Sequence, residues 1–118
     1  MTNERKIRIG ITQGDTNGIG YEVILKTFSN PAMLELCTPV IYGSSKIMSY
    51  HRKAVGVQAF QTNNVKSVDY LKENLPNVVE VCSDEVKVEL GKADKQAGKA
   101  AFQALEAAIT DLKKGKID

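Results

Sequence analysis

Apolar positions along the chain alternate between short β-branched runs and longer stripes at helical spacing. Residues 5–12 predict the first strand. Ile7, Ile9 and Ile11 alternate with Arg8 and Gly10, but the run is largely apolar, as in a strand buried on both faces of a parallel sheet. Residues 13–20 read as a tight glycine-rich turn. A helix is expected over 21–29, with Val23, Ile24 and Phe28 on its buried side. Ser29-Asn30-Pro31 stops it, and Asn30 with Pro31 is a helix start signal for a short helix through Met33, Leu34 and Leu36.

Pro39 to Gly43 predicts the second strand, and Ser44-Ser45 caps a helix to about Ala54 that Gly56 closes. Val57 to Gln61 is expected as a short third strand, followed by a turn at Thr62-Asn63-Asn64. The stretch 65–77 admits two readings: Val68, Leu71 and Leu75 sit at helical spacing, but Pro76-Asn77 stops the pattern. Val78, Val79 and Val81 predict another strand, and Val86 and Val88 a hairpin or extended excursion ending at Gly91. The last element is the clearest. Asp94 caps a helix expected over Lys95–Lys114, whose stripe is Ala97, Ala101, Leu105, Ala108 and Leu112, widened by Ala100, Ala104 and Ile109. Gly115 stops it, and Lys116-Ile117-Asp118 reads as the lead-in to a further strand. Strands alternating with crossover-length helices predict an α/β fold with a mainly parallel sheet and flanking helices. A helix this well made returns the chain to its sheet, so residues 1–118 are expected to be a fragment of a longer chain, and the family resemblance given below implies that this is the N-terminal α/β segment of a larger two-domain protein.

Composition narrows the class without naming a function. The 118 residues carry 16 basic and 14 acidic side chains, a net charge of +2. That balance argues against a nucleic-acid or membrane-surface partner. No apolar run approaches the ~18 residues of a membrane span. The charged N-terminus lacks the apolar stretch of a signal peptide. Cys37 and Cys82 stand apart with neither CxxC nor zinc spacing, and are expected as reduced thiols of a cytoplasmic protein.

The chemistry concentrates in Gly14-x-x-x-Gly18-x-Gly20. The spacing is neither GxGxxG nor a P-loop. It reads either as a plain strand-to-helix turn or as a ligand-facing one. Asp15, Thr16 and Asn17 favour the second, because they put short polar side chains at the carboxyl end of the first strand, where open α/β sheets bind ligands. Asp15 alternatively forms an Asx-turn that holds the loop. Ser44 or Ser45 is expected as a helix cap, with a phosphate or cofactor contact as the alternative. His51, the one histidine, lies beside Arg52 and Lys53 and is expected on a solvated basic face. With no His/Asp/Glu cluster, the chain builds no metal site of its own, and no catalytic triad can be assembled.

Residues 11–23, Ile-Thr-Gln-Gly-Asp-Thr-Asn-Gly-Ile-Gly-Tyr-Glu-Val, resemble the N-terminal signature of the 4-hydroxythreonine-4-phosphate dehydrogenase family of vitamin B6 (pyridoxal phosphate) biosynthesis, I-T-x-G-D-P-A-G-I-G-P-E. The similarity continues through Val40-Ile41-Tyr42-Gly43-Ser44, Val88-Glu89-Leu90-Gly91-Lys92 and Ala97-Gly98-Lys99-Ala100-Ala101. In the family, an Ile-Asp such as Ile117-Asp118 leads into an A-L-V-T-A-P-I-x-K type strand. Thr16 and Asn17 stand where the family has Pro-Ala, and Tyr21 where it has Pro, which makes the turn less rigid. The turn is also similar to the G-D-G-I-G-P-E turn of isopropylmalate and isocitrate dehydrogenases, which implies their fold.

What the resemblance implies is oxidation of the secondary alcohol of 4-phosphooxy-L-threonine by NAD or NADP, followed by loss of CO2 from the β-keto acid. A divalent metal (Zn, Mg or Co) polarises the alcohol. It further implies a homodimer whose metal-holding histidines, phosphate-binding Lys and Arg and substrate-contacting His-Thr pair lie beyond residue 118. Within this chain the expected site residues, for cofactor or substrate, are Gly14, Asp15, Asn17, Gly18 and Gly20, shaping the crevice floor mostly through backbone N–H groups. No catalytic residue is expected here, and the segment alone is expected to be inactive. The alternatives are a non-catalytic α/β binding module and a structural remnant.

Overall fold

The computed structural model describes residues 5–57, 60–82 and 87–118. The elements run β1 (Ile7–Thr12), α1 (Gly20–Phe28), α2 (Pro31–Leu36), β2 (Cys37–Gly43), α3 (Ser45–Val55), β3 (Asn63–Val65), a 3-10 turn at Val68–Tyr70, β4 (Asn77–Glu80) and α4 (Lys95–Lys113). Among the described residues the strands form one parallel sheet in the order β1-β2-β4-β3. The predicted α/β class with a mainly parallel sheet is what forms.

The helix ends follow local chemistry. The Asn30 side chain accepts the Ala32 N–H at 3.0 Å with Pro31 in the first turn, Ser44 accepts Ile47 N–H at 3.3 Å, and Asp94 accepts Ala97 N–H at 2.7 Å. Each satisfies a donor that the helix start leaves open. Gly56, at φ +76, closes α3 by donating to the carbonyls of Arg52 and Lys53. A left-handed residue there is a glycine position.

Every residue of β2 is buried, and its side chains alternate between two cores. Ile41 joins Tyr21, Ile24, Leu25, Phe28, Ile47, Met48 and Val78 under α1 and α3. Val40 and Tyr42 join Val68, Val79, Ala104 and Ile117 under α4.

Several expectations are corrected. β1 is not buried on both faces: it is an outer strand, and Ile7 and Ile9 are 59% and 45% exposed. In α1, Val23 faces solvent, and Tyr21 and Leu25 take the core positions beside Ile24 and Phe28. Of the strand expected over Val57–Gln61, residues 58 and 59 lie outside the described residues. Val57 instead donates its N–H to Arg52 O and wraps the end of α3. The third strand falls at Asn63–Val65, where a turn was expected, because Asn63 donates to Pro76 O and Asn77 Oδ1 and so joins β4. The Asn77 amide, wholly buried, also binds the carbonyls of Pro39, Lys72 and Leu75 and accepts Lys72 N–H. It supplies the bonds that let 71–76 run without a helix. Val88 sits outside any strand, and Val86 lies outside the described residues.

α4 forms as expected but is rotated. Ala97, Ala100 and Ala104 face the sheet, with Ala107 and Ala108 half-buried, whereas Leu105, Ile109 and Leu112 are exposed. The small alanines let the helix lie close to Val40 and Tyr42, and Tyr42 donates to the Asp111 carboxylate at 2.8 Å.

Candidate functional site

The glycine-rich turn leaves β1 as Gln13 donates its N–H to Tyr42 O at 3.1 Å. Gly14 then takes φ +67, a conformation open to glycine, and a side chain there would meet nothing within 4 Å. The turn closes on itself at Asp15. Its carboxylate accepts Asn17 N–H and its carbonyl accepts Gly18 N–H, both at 2.9 Å. This is the Asx-turn reading of Asp15. A Cβ on Gly20 would lie 2.6 Å from Gln13 O, so the start of α1 passes too close to the strand end for any larger residue.

The polar side chains of the turn point inward. Gln13, Thr16 and Asn17 are all buried, while Asp15 and Ile19 face solvent. Asn17 accepts Glu89 N–H through Oδ1 at 2.8 Å and donates through Nδ2 to Lys92 O at 2.9 Å and Asp94 Oδ2 at 3.2 Å. Its carbonyl accepts Gly91 N–H at 2.8 Å. One side chain therefore fastens the turn to the 89–94 loop and to the cap of α4. The Asp94 carboxyl is held below its ordinary range, first by the Ala97 N–H and then, after the opposing effect of desolvation, by Asn17.

His51 overturns the expectation of a solvated basic face. It is 3% exposed, and its Nε2 lies 2.8 Å from Thr16 O, so that nitrogen carries the proton and donates. Its ring stacks on Tyr21 at 5.3 Å and meets the edge of Tyr50 at 5.7 Å. The helical period had signalled it: Ile47, Met48 and His51 share the buried face of α3.

Tyr21 is the residue that sequence reasoning passed over as a mere departure. Its hydroxyl donates to Gln13 Oε1, accepts Ser44 N–H at 3.0 Å, and occupies the space a side chain on Gly43 would need. Gln13 Nε2 continues the network to Ala100 O at 3.1 Å. Burial pushes the Tyr21 phenol well above its ordinary value, so it stays neutral. The carboxyl ends of β1 and β2 are thus joined by Tyr21, Gln13 and Ser44. On the second turn, Ser44 is the cap of α3, and Ser45 bonds the Glu80 carboxylate through its N–H and hydroxyl at 2.8 and 2.6 Å.

Of the five expected site residues, Gly14 and Asp15 lie on the open side of the turn, Gly18 and Gly20 set its shape, and Asn17 is spent on the 89–94 loop. Among the described residues no three His, Cys, Asp or Glu side chains come together to hold a metal, and no helix is long and apolar enough to cross a membrane.

Residues 35–118 match the family model described as "Pyridoxal phosphate biosynthetic protein PdxA". The chain belongs to this family. It is similar to the 4-hydroxythreonine-4-phosphate dehydrogenase of Bacteroides thetaiotaomicron, 60% identical over 115 residues that cover 98% of this chain and 31% of that protein. It is also similar to a putative D-threonate 4-phosphate dehydrogenase of Clostridium botulinum, 28% identical over 121 residues, 100% of this chain and 36% of that one. Among solved structures, a 4-hydroxythreonine-4-phosphate dehydrogenase from Burkholderia phymatum superposes with a TM-score of 0.85 at 24% identity, covering 98% of this chain and 35% of that one. The PdxA-family relatives are dehydrogenases, and this chain spans about a third of their length.

Proposed function

We propose that this chain is the amino-terminal α/β segment of a larger two-domain enzyme that oxidises 4-phosphooxy-L-threonine on the route to vitamin B6. The observation that carries this reading is the 60% identity to the Bacteroides thetaiotaomicron 4-hydroxythreonine-4-phosphate dehydrogenase, against 28% to the putative D-threonate 4-phosphate dehydrogenases. In this reading the alcohol gives its hydride to NAD or NADP and the resulting β-keto acid loses CO2. The described residues do not fit a divalent metal: His51 is buried on Thr16 O, and no carboxylate or thiol cluster accompanies it. The metal ligands, the phosphate clamp and the catalytic groups come from outside these residues, in a cytoplasmic homodimer.

This chain's own part is a wall of the site. Gly14 leaves room for a ligand to approach the backbone, and Asp15 offers the exposed carboxylate. Asn17, Gly18 and Gly20 keep the turn in shape behind them. The 118 residues alone are expected to give no NAD reduction with 4-phosphooxy-L-threonine, and turnover would refute that. The substrate is tested by a chimera in which this chain replaces the matching segment of the Bacteroides thetaiotaomicron enzyme. Its kcat/KM on 4-phosphooxy-L-threonine is expected within about tenfold of the parent's. A folded chimera that instead prefers D-threonate 4-phosphate would sink the reading.

A further inference from the structure

The glycine-rich turn departs from the family signature at two of its rigid positions. Thr16 and Tyr21 stand where the signature has proline, so no ring locks φ at either residue. One side chain reaches both. His51 donates from Nε2 to Thr16 O at 2.8 Å. Its ring stacks on Tyr21, with centroids 5.3 Å apart and planes 22° from parallel. Tyr50 packs edge-on against the same ring at 5.7 Å. His51 arrives from α3, 35 residues beyond Thr16 in the chain.

The grip is on the backbone. The Thr16 hydroxyl is buried without a hydrogen-bond partner, and among the described residues no bond is drawn from the Thr16 N–H. The carbonyl is the group of Thr16 that is held. Its neighbours are held from elsewhere: Asp15 O accepts Gly18 N–H, and Asn17 O accepts Gly91 N–H. Thr16 is wholly buried, so without His51 its carbonyl would be an acceptor with no donor, and the turn would have to move to satisfy it.

We propose that His51 is the positioning residue of the glycine-rich turn. It does from α3 what proline does from within the loop, and so fixes the approach surface that Gly14 and Asp15 present on the open side. The functional half of this role rests on the reading of that surface as one wall of a dehydrogenase site. Being buried, His51 acts through Thr16 and Tyr21 and not by contact with a ligand.

Three substitutions separate this role from plain core filling. His51→Phe keeps a ring against Tyr21 and removes the donor. His51→Gln keeps an N–H donor of similar reach and removes the ring. Thr16→Pro restores a locked φ and forfeits no side-chain bond, since the hydroxyl makes none.

The test follows amide exchange in the 118-residue protein by NMR. The Asn17 and Gly18 amides, both bonded to Asp15, report on the turn, and the amides of β2 report on the core. His51→Phe is expected to speed the two turn amides at least about tenfold relative to β2, and His51→Gln to keep them within about threefold of the wild type. Thr16→Pro added to His51→Phe should bring them back to within about threefold. Unchanged turn amides in His51→Phe overturn the proposal. Turn and β2 amides speeding up together, as for an ordinary core residue, also overturn it. So does failure of glutamine to hold the turn or of proline to restore it. Where His51→Phe does not fold by itself, the protein carrying both Thr16→Pro and His51→Phe must fold for the proposal to stand.

The functional half is read in the Bacteroides thetaiotaomicron chimera. His51→Phe is expected to raise the KM for NAD or for 4-phosphooxy-L-threonine about tenfold with kcat within about threefold, and Thr16→Pro to reverse the rise. Unchanged KM values in an active chimera overturn the proposal. A chimera inactive before any substitution at position 51 refutes the proposed function instead, and the exchange result then decides whether His51 holds the turn.

Discussion

Tyr21 makes bonds that phenylalanine cannot. Tyr21→Phe leaves Ser44 N–H and Gln13 Oε1 buried without their partner. The expected cost is about 1–3 kcal/mol, the desolvation of an unsatisfied buried group, read as a lower urea midpoint with an unchanged slope. Asn17→Ala removes three side-chain bonds to the 89–94 loop and the α4 cap. It should speed amide exchange at Glu89 and Gly91 while leaving the core of β2 protected. Asp94 titrates in a defined direction. Its folded carboxyl lies below its unfolded value, so its contribution is present above the unfolded pKa of about 3.9 and is lost as pH falls through the folded one. The stability gap between the wild type and Asp94→Ala should therefore be constant near neutrality and shrink below about pH 4. At this scale the sequence was legible where a single local rule decides, as for the caps at Asn30, Ser44 and Asp94. It was opaque at Asn17 and Asn77, whose partners stand up to 77 residues away or are spread over β2, β3 and the segment before β4.

Elements were legible where their period is long. α3 and α4 run enough turns for the apolar stripe to declare itself, and both ends carry caps. The rotation of α4 was not legible, since alanine and leucine both count as apolar, and tight packing on Tyr42 selects the smaller ones. That choice is testable. Ala104→Leu should cost about 1–3 kcal/mol through overpacking, whereas Leu105→Gln, on the exposed side of the same turn, should stay within about 0.5 kcal/mol. β3 was missed because a three-residue strand has too short a period to read and is fixed by its partner β4.

For the whole molecule, the layers follow from β2. A strand buried along its full length needs cover on both faces, and α1 with α3 on one side and α4 on the other supply it. The expectation of a strand buried on both faces was drawn for β1 but is met by β2, and the two differ in position within the sheet rather than in pattern. Sheet order is a property of the assembled chain, so no local pattern reveals which strand ends at the margin. The glycine turn, read from its sequence as either a plain or a ligand-facing turn, is also a joint between α1, α3 and α4, because the Gln13 and Asn17 side chains and the Thr16 carbonyl are used internally.

That joint has a consequence for how the protein is made. Asn17 and Lys92 are separated by 75 residues in the chain. At the ribosomal pace of about 5–20 residues per second, roughly 4 to 15 s pass between the synthesis of the turn and that of its anchor. Through that interval the nascent turn has glycines but no clasp, and its final shape waits on the arrival of the 89–94 loop.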